Sequence, residues 1–325
     1  MLLSVEISSY NRSHILLQTL AHLGAQTYPK DRFEVIVSDD GSNAETLNEI
    51  RRFAKNAPYQ LKLLENNHAG CGITHNTGIR AATGDILVLM ADDVLPTPMH
   101  LAEHARMHTQ YPEPHIGVVG KLEQSPQLPD TPFQNTWDRV INRRFPKNQH
   151  KLDYRDFWVN NISMKRSFLD GKELFKSWPA ASHEDIELGY RLQRQGLELI
   201  FCETALAYHH HPETVDSVSR RAYAHGYNWE LFESNVPDLW VRARSGHFIP
   251  GDPAVLRLAL WLRRNLRSLL FNSLTVPNIA LPALRLSDQN PWLGFTPQLF
   301  ATRVAAHYFD KGLRDREHRR PFQFP

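Results

Sequence analysis

"GDILVLMADDVLPTP", residues 84–98, decides how this chain is read. Five apolar residues, Ile86 to Met90, run without a break, as in a strand covered on both faces. Two adjacent carboxylates, Asp92 and Asp93, close the run, and Pro96 and Pro98 follow. Side-by-side negative charges repel unless a cation stands between them. A divalent ion supplies that charge, since Mg²⁺ or Mn²⁺ takes one or two carboxylates together with phosphate oxygens. The plainer reading is an Asp-rich turn or helix cap ahead of the prolines. Both stand at this point.

Upstream, the pattern alternates. "LLSVEIS" and "FEVIVSDD" are strand-like, and "QLKLLEN" is a third strand. Between them, "SHILLQTLAHLGAQ" and "AETLNEIRRFAKN" carry apolar residues at helical spacing, and "THNTGIRAAT" is a short helix. Strand–helix–strand alternation predicts right-handed crossovers and a mostly parallel sheet. In such sheets ligands gather beyond the carboxyl ends of the strands. Three polar clusters fall there: Ser8-Ser9-Tyr10-Asn11, Asp39-Asp40 and Asp92-Asp93.

Downstream, "IGVVGKLEQ" predicts a strand and "FWVNNISMKRSFL" a strand entering a helix. "SHEDIELGYRLQRQG", residues 182–196, predicts a helix with Ser182 as N-cap, Asp185 in its third position, a Glu187–Arg191 pair and Gly196 as its stop. At a helix N-terminus Asp185 is stabilised as an anion. It is either a capping residue or a general base that takes a proton from a hydroxyl. "LELIFCETALAYHHH" predicts a strand ending in His209, His210 and His211. Alternation puts 209 and 211 on one face, where either could join Asp93 on a metal; a polar strand end explains them equally well. Gly70 and Gly72 open a helix after a strand, but His75 stands where a dinucleotide fingerprint needs glycine.

In this order the motifs resemble the family 2 glycosyltransferases, inverting nucleotide-sugar enzymes of the GT-A fold. The resemblance covers roughly residues 3–230 and rests on "VEISSYNRS", "VIVSDDGSNAET", "HAGCGITHNTGIRAATGDILVLMADD", "NNISMKRSFL" and "HEDIELGYRLQRQG". It implies an α/β fold: a Rossmann-like mixed, mostly parallel sheet flanked by helices, followed by a mainly helical C-terminal region. Residues 1–215 would form the catalytic domain, with a nucleotide-sugar half at 1–100 and an acceptor half at 100–215, and 216–325 the helical region. Ser9, Tyr10, Asn11, Asp39, Asp40, His75 and Asp92 would hold the nucleotide sugar. Asp93 with His209 or His211 would bind Mn²⁺ or Mg²⁺, Asp185 would be the general base, and Asn161 and Glu184 would face the acceptor. The donor implied is a nucleoside-diphosphate sugar, with a bias to uridine, and the acceptor a saccharide or lipid-linked glycan. Two residues depart from the family pattern. Met90 stands where the DxD motif often begins with Asp, and His75 replaces an arginine, which is better suited to phosphate.

Composition bounds the rest. With 42% hydrophobic and 22% charged residues the chain reads as globular, and a net charge of +2 argues against a nucleic-acid partner. The charge is uneven. Residues 251–325 hold 11 Lys/Arg against 5 Asp/Glu, leaving 26 against 30 in the remainder. "AVLRLALWLRRNLRSLLFN", residues 254–272, predicts a basic amphipathic helix, with Arg257, Arg263, Arg264 and Arg267 within an arc of about 120°. It either packs on the catalytic domain or a partner, or makes peripheral contact with a membrane. The two cysteines, Cys71 and Cys202, point to a reducing, cytoplasmic setting. "MLLSVEISSYNR" reads as a first strand, not a signal peptide, and no apolar run is long enough to span a bilayer.

Overall fold

The computed structural model describes residues 1–129, 131, 134, 151–246, 249–255, 257–259, 262, 270–289 and 297–324. These fall into two compact units. One holds 1–128, 151–178 and 184–211; the other holds the described residues of 129–143, 179–183 and 212–324.

The first unit is built on a sheet of nine strands among the described residues: β1 (Leu3–Ser9), β2 (Phe33–Asp39), β3 (Gln60–Glu65), β4 (Ile86–Ala91), β5 (Val94–Pro96), β6 (Ile116–Gln124), β7 (Lys151–Leu152), β8 (Asn161–Lys165) and β9 (Glu198–His209). The helices along this stretch are α1 (Ser13–Gly24), α2 (Ala44–Ala54), α3 (Cys71–Ala81), α4 (His100–Gln110), α5 (Arg166–Leu169) and α6 (Glu184–Arg194). The strand order is β3-β2-β1-β4-β8-β6-β9-β5, with β7 also pairing β9.

The first four strands pair in parallel, as their alternation with helices requires. From β8 onward the sheet is mixed, because β8 runs antiparallel to both β4 and β6, and β5 and β7 run antiparallel to β9. The opening apolar run is explained by its position. Ile86, Val88 and Met90 enter one hydrophobic core with Leu3, Val5, Ile7, Val35 and Val37; Leu87 and Leu89 enter the other with Ile36, Ile162 and Met164. A strand covered on both faces has no polar side to show.

One local detail differs from the sequence reading. The helix carrying Asp185 starts at Glu184, so Asp185 is its second residue rather than its third. The Ser182 hydroxyl pairs with His183 Nδ1 at 2.7 Å. The Glu187–Arg191 pair forms at 2.7 Å, and Gly196 ends the helix in the left-handed region with φ +99°.

The second unit is helical, as expected: α7 (Val215–Tyr227), α8 (Trp229–Asn235), α9 (Leu239–Ser245), α10 (Leu281–Gln289) and α11 (Pro297–Glu317), with a π-helical turn Val276–Ala280 running into α10. Thr214 caps α7 in a reciprocal capping box with Ser217. α7 and α11 approach through glycines. A Cβ on Gly226 would lie within 2 Å of the Phe309 carbonyl oxygen, and one on Gly312 2.2 Å from that of Tyr223. Most of the basic segment 254–272 lies outside the described residues.

Candidate active site

β4 stops at Ala91, and the chain turns at once into β5, whose Val94 pairs with His209 on β9. That short antiparallel pairing brings Asp93 to the histidine end of the last strand. His209 Nε2 lies 3.5 Å and His211 Nδ1 3.1 Å from the Asp93 carboxylate, and the two rings stack with centroids 5.5 Å apart. His210 turns the other way, toward Ser125 Oγ at 2.9 Å. The alternation expected of the strand end therefore separates 209 and 211 from 210. One donor atom each from Asp93, His209 and His211 fits within 4.8 Å, close enough for a single ion. Between the two metals expected, one oxygen and two imidazole nitrogens suit Mn²⁺ better than Mg²⁺, which prefers oxygen throughout.

The two carboxylates do have a cation between them. Arg12 forks over the pair, with one guanidinium nitrogen 2.7 Å from Asp92 Oδ1 and the other 2.7 Å from Asp93 Oδ2. Sequence reading missed it, since "SYNRS" gives no sign of a contact made across 80 residues. Ser9 Oγ donates to Asp92 Oδ2 at 2.8 Å. The two acids part in acidity. Burial pushes Asp92 up to about 6 against the pull of Arg12. Burial also works to raise Asp93, but hydrogen bonds from His209 and His211 and the charge of Arg12 outweigh it and hold Asp93 well below the carboxylate range.

Asp39 and Asp40 shape the neighbouring loops. Asp39 Oδ2 accepts from the amides of Gly41 and Ser42 at 2.9 and 2.8 Å. Asp40 Oδ1 accepts from the Ala69 amide at 2.8 Å and the Thr74 hydroxyl at 2.7 Å, and Oδ2 lies 2.9 Å from His68 Nδ1. Asp40 thus ties down the loop into α3, where Gly70 adopts φ +91°. Asn11, itself at φ +52°, accepts from the Asn43 amide at 2.9 Å. Tyr10 is exposed, its ring 4.7 Å from that of His68.

Asp185 is half-buried, and its Oδ1 accepts from the Ile186 amide at 2.7 Å. Burial and then the charge of buried Glu184 push its carboxyl up to about 7, with His75 pulling the other way. His75 was expected at the donor phosphates. It is instead buried, with Nδ1 2.5 Å from Glu6 Oε2 and its ring stacked on Phe175. Burial would strip its proton, but the charge of Glu6 and a contact with Cys71 hold it well above the usual range. Its positive charge acts on Asp185 without reaching the surface.

Asn161, expected on the acceptor side, is also buried. It lies in a ladder between β8 and α4, where His100, His104 and His108 stand one turn apart. Asn161 Oδ1 meets His100 Nε2 at 2.8 Å and His104 Nε2 at 2.9 Å. Ser163 Oγ meets His104 Nδ1 at 2.7 Å and His108 Nε2 at 2.9 Å. Asn161 Nδ2 donates to the carbonyls of Lys121 and Ala205, which fixes its amide so that Oδ1 accepts from both rings. His104 Nδ1 is then the acceptor of the Ser163 hydroxyl, and neutral imidazoles make every bond of the ladder, while buried His100 Nδ1 has no partner among the described residues. Burial accordingly drives the three down, to about 3, 4 and 3. The spacing in "HLAEHARMH" was the available signal.

A sequence model of glycosyl transferase family 2 matches residues 4–170, more than half of the chain. The chain belongs to that family. The resemblance read from the five motifs is borne out. Chondroitin synthase of Escherichia coli is 28% identical over 271 residues, covering 72% of this chain and 38% of that protein. Validoxylamine A glucosyltransferase of Streptomyces hygroscopicus is 27% identical over 226 residues, covering 61% and 53%. The chain thus spans about half or less of these relatives. A mannosyltransferase from Pyrobaculum calidifontis, solved with GDP-Man and Mn²⁺, superposes with a TM-score of 0.61 at 20% identity, covering 93% of this chain and 85% of its own. S. aureus TarS 1-349 with UDP-GlcNAc gives 0.53 at 15%, covering 100% and 94%. At these identities the likeness establishes the GT-A fold.

Proposed function

We propose that the chain transfers a sugar, with inversion, from a nucleoside-diphosphate sugar to a hydroxyl of a saccharide or lipid-linked glycan in the cytoplasm. The observation that carries this reading is the convergence of Asp93, His209 and His211 on one point beyond the sheet's carboxyl edge. These residues would hold Mn²⁺, with Asp92 beside them oriented by Ser9. When bound, the ion would stabilise charge on the leaving diphosphate.

Asp185 takes the proton of the acceptor hydroxyl. A carboxylate near 7 is a stronger base than an ordinary one and is still half ionised at neutral pH, the compromise general-base catalysis favours. Glu184 and burial set that basicity, and His75, fixed by Glu6, limits it. Tyr10 and His68 present ring faces for a nucleobase, on loops pinned by Asp39 and Asp40. The complexes of similar proteins with UDP-GlcNAc and GDP-Man support a nucleoside-diphosphate donor and leave uridine and guanosine as the two bases to compare.

A second reading, nucleotide-sugar binding without transfer, draws on Arg12, which already neutralises both carboxylates. Calorimetric titration of UDP and of GDP, with and without Mn²⁺, on wild type and Asp93→Ala tests the first. Metal-dependent binding lost in the variant supports it. Binding that ignores both Mn²⁺ and the substitution favours the second; no binding of either nucleotide calls for a panel of the other nucleoside diphosphates, and no binding of any of them refutes both.

A further inference from the structure

We infer that the second unit carries a docking surface for an anionic phospholipid membrane. The helix from Val276 through α10 has apolar residues on both sides. Val276, Ala280, Leu281 and Leu284 are buried against Tyr223, Val304 and Tyr308. Ile279, Pro282 and Leu286 follow at i, i+3 and i+7 on the opposite side, and all three are exposed. Asn278 and Arg285 are exposed with them, so that side is mixed, aliphatic with a cation.

The exposure extends along the chain. Val255, Leu258, Leu270, Leu274, Ile279 and Leu286 keep between 54% and 81% of their surface open. Scattered exposed leucines are ordinary, but six large aliphatic side chains within 32 residues are not.

Charge identifies the occupant. From 253 to 287 there is no Asp or Glu, and there are five arginines: 257, 263, 264, 267 and 285. Arg257 and Arg285 are exposed, the latter paired with Asp216; the other three lie outside the described residues. A second copy of the same surface would set like charges against each other across a two-fold axis. An anionic lipid interface instead takes the aliphatic side chains into its acyl boundary and the guanidinium groups of Arg257 and Arg285 at its headgroups. Among the described residues no helix is long and apolar enough to cross a bilayer, so the surface lies on the membrane.

The test is co-sedimentation of the full chain with vesicles of phosphatidylcholine alone and of phosphatidylcholine with phosphatidylglycerol. It needs neither donor nor acceptor and stands apart from the transfer reading. Wild type is expected to bind the anionic vesicles about 10-fold or more tightly than the neutral ones, with a loss at high salt. The triple variant Leu274→Ser, Ile279→Ser, Leu286→Ser should bind at least about 10-fold less. All three side chains are exposed, so the fold survives, which circular dichroism checks. No binding to anionic vesicles, equal binding to both kinds, or an unaffected triple variant overturns the proposal. A wild-type dimer that ignores vesicles and dissociates on the triple substitution also overturns it, assigning the surface to a second copy.

Discussion

His108 offers a quantitative test of the buried ladder. Its ring lies 2.9 Å from Ser163 Oγ, and burial and the charge of Lys165 depress it to about 3. The unfolded chain binds the proton near 6.5, so the unfolded state takes it first. The ladder's stabilisation is therefore complete above about 6.5 and falls as pH drops toward the folded value. Between pH 7 and pH 5 the linkage integral is about 2 kcal/mol for one such histidine and about 6 kcal/mol for three. Against a typical domain stability of about 5–15 kcal/mol that is a large share. Asp92 and Asp185 oppose it, because their raised folded values, about 6 and 7, add stability over the same interval. The contribution of His108 must therefore be read as a difference. His108→Gln keeps an amide for Ser163 and removes one titration. The stability advantage of wild type over this variant should shrink by about 2 kcal/mol from pH 7 to pH 5. Native-state hydrogen exchange at the β8 amides measures it within the right unit. Parallel curves for the two proteins would refute the neutral-ladder assignment.

Asp185→Asn should lower kcat by about 10²–10⁴-fold with donor and acceptor saturating, and kcat/KM of wild type should rise with pH through an inflection near 7; near wild-type turnover in the variant would exclude the base role. Arg12→Gln removes the guanidinium that occupies the Asp92–Asp93 oxygens, so Mn²⁺ affinity measured without nucleotide should rise by about 10-fold or more, about 1.4 kcal/mol. Unchanged affinity would mean that Mn²⁺ binds without displacing it. Gly226→Ala places a methyl against the Phe309 carbonyl and should destabilise the second unit by about 1–3 kcal/mol in urea unfolding, while the same substitution at open Gly171, whose added Cβ meets nothing but whose φ is +71°, carries only the backbone strain.

Much of the fold was legible because it rests on periodicity. The run Ile86 to Met90 reads as a strand with a core on each side, and that is where it lies. The antiparallel pairings of β8 and β5 were not legible, since the helical alternation that marks parallel crossovers fades after residue 100. At the site, sequence placed Asp93, His209 and His211 at strand ends, and alternation grouped the two histidines, but the β5–β9 pairing that brings Asp93 to them was decided by the tertiary structure.

It could not separate residues of like chemistry that face inward from those that face a ligand. His75 and Asn161 carry the right groups in the right motifs, yet both are sealed in the interior, one by Glu6 on β1 and the other by histidines on α4. Motif order is written along the chain and can be read from it. Whether a side chain meets solvent, a partner such as Arg12 or a buried carboxylate depends on contacts between residues some 57 to 81 positions apart, and those exist only once the sheet has closed.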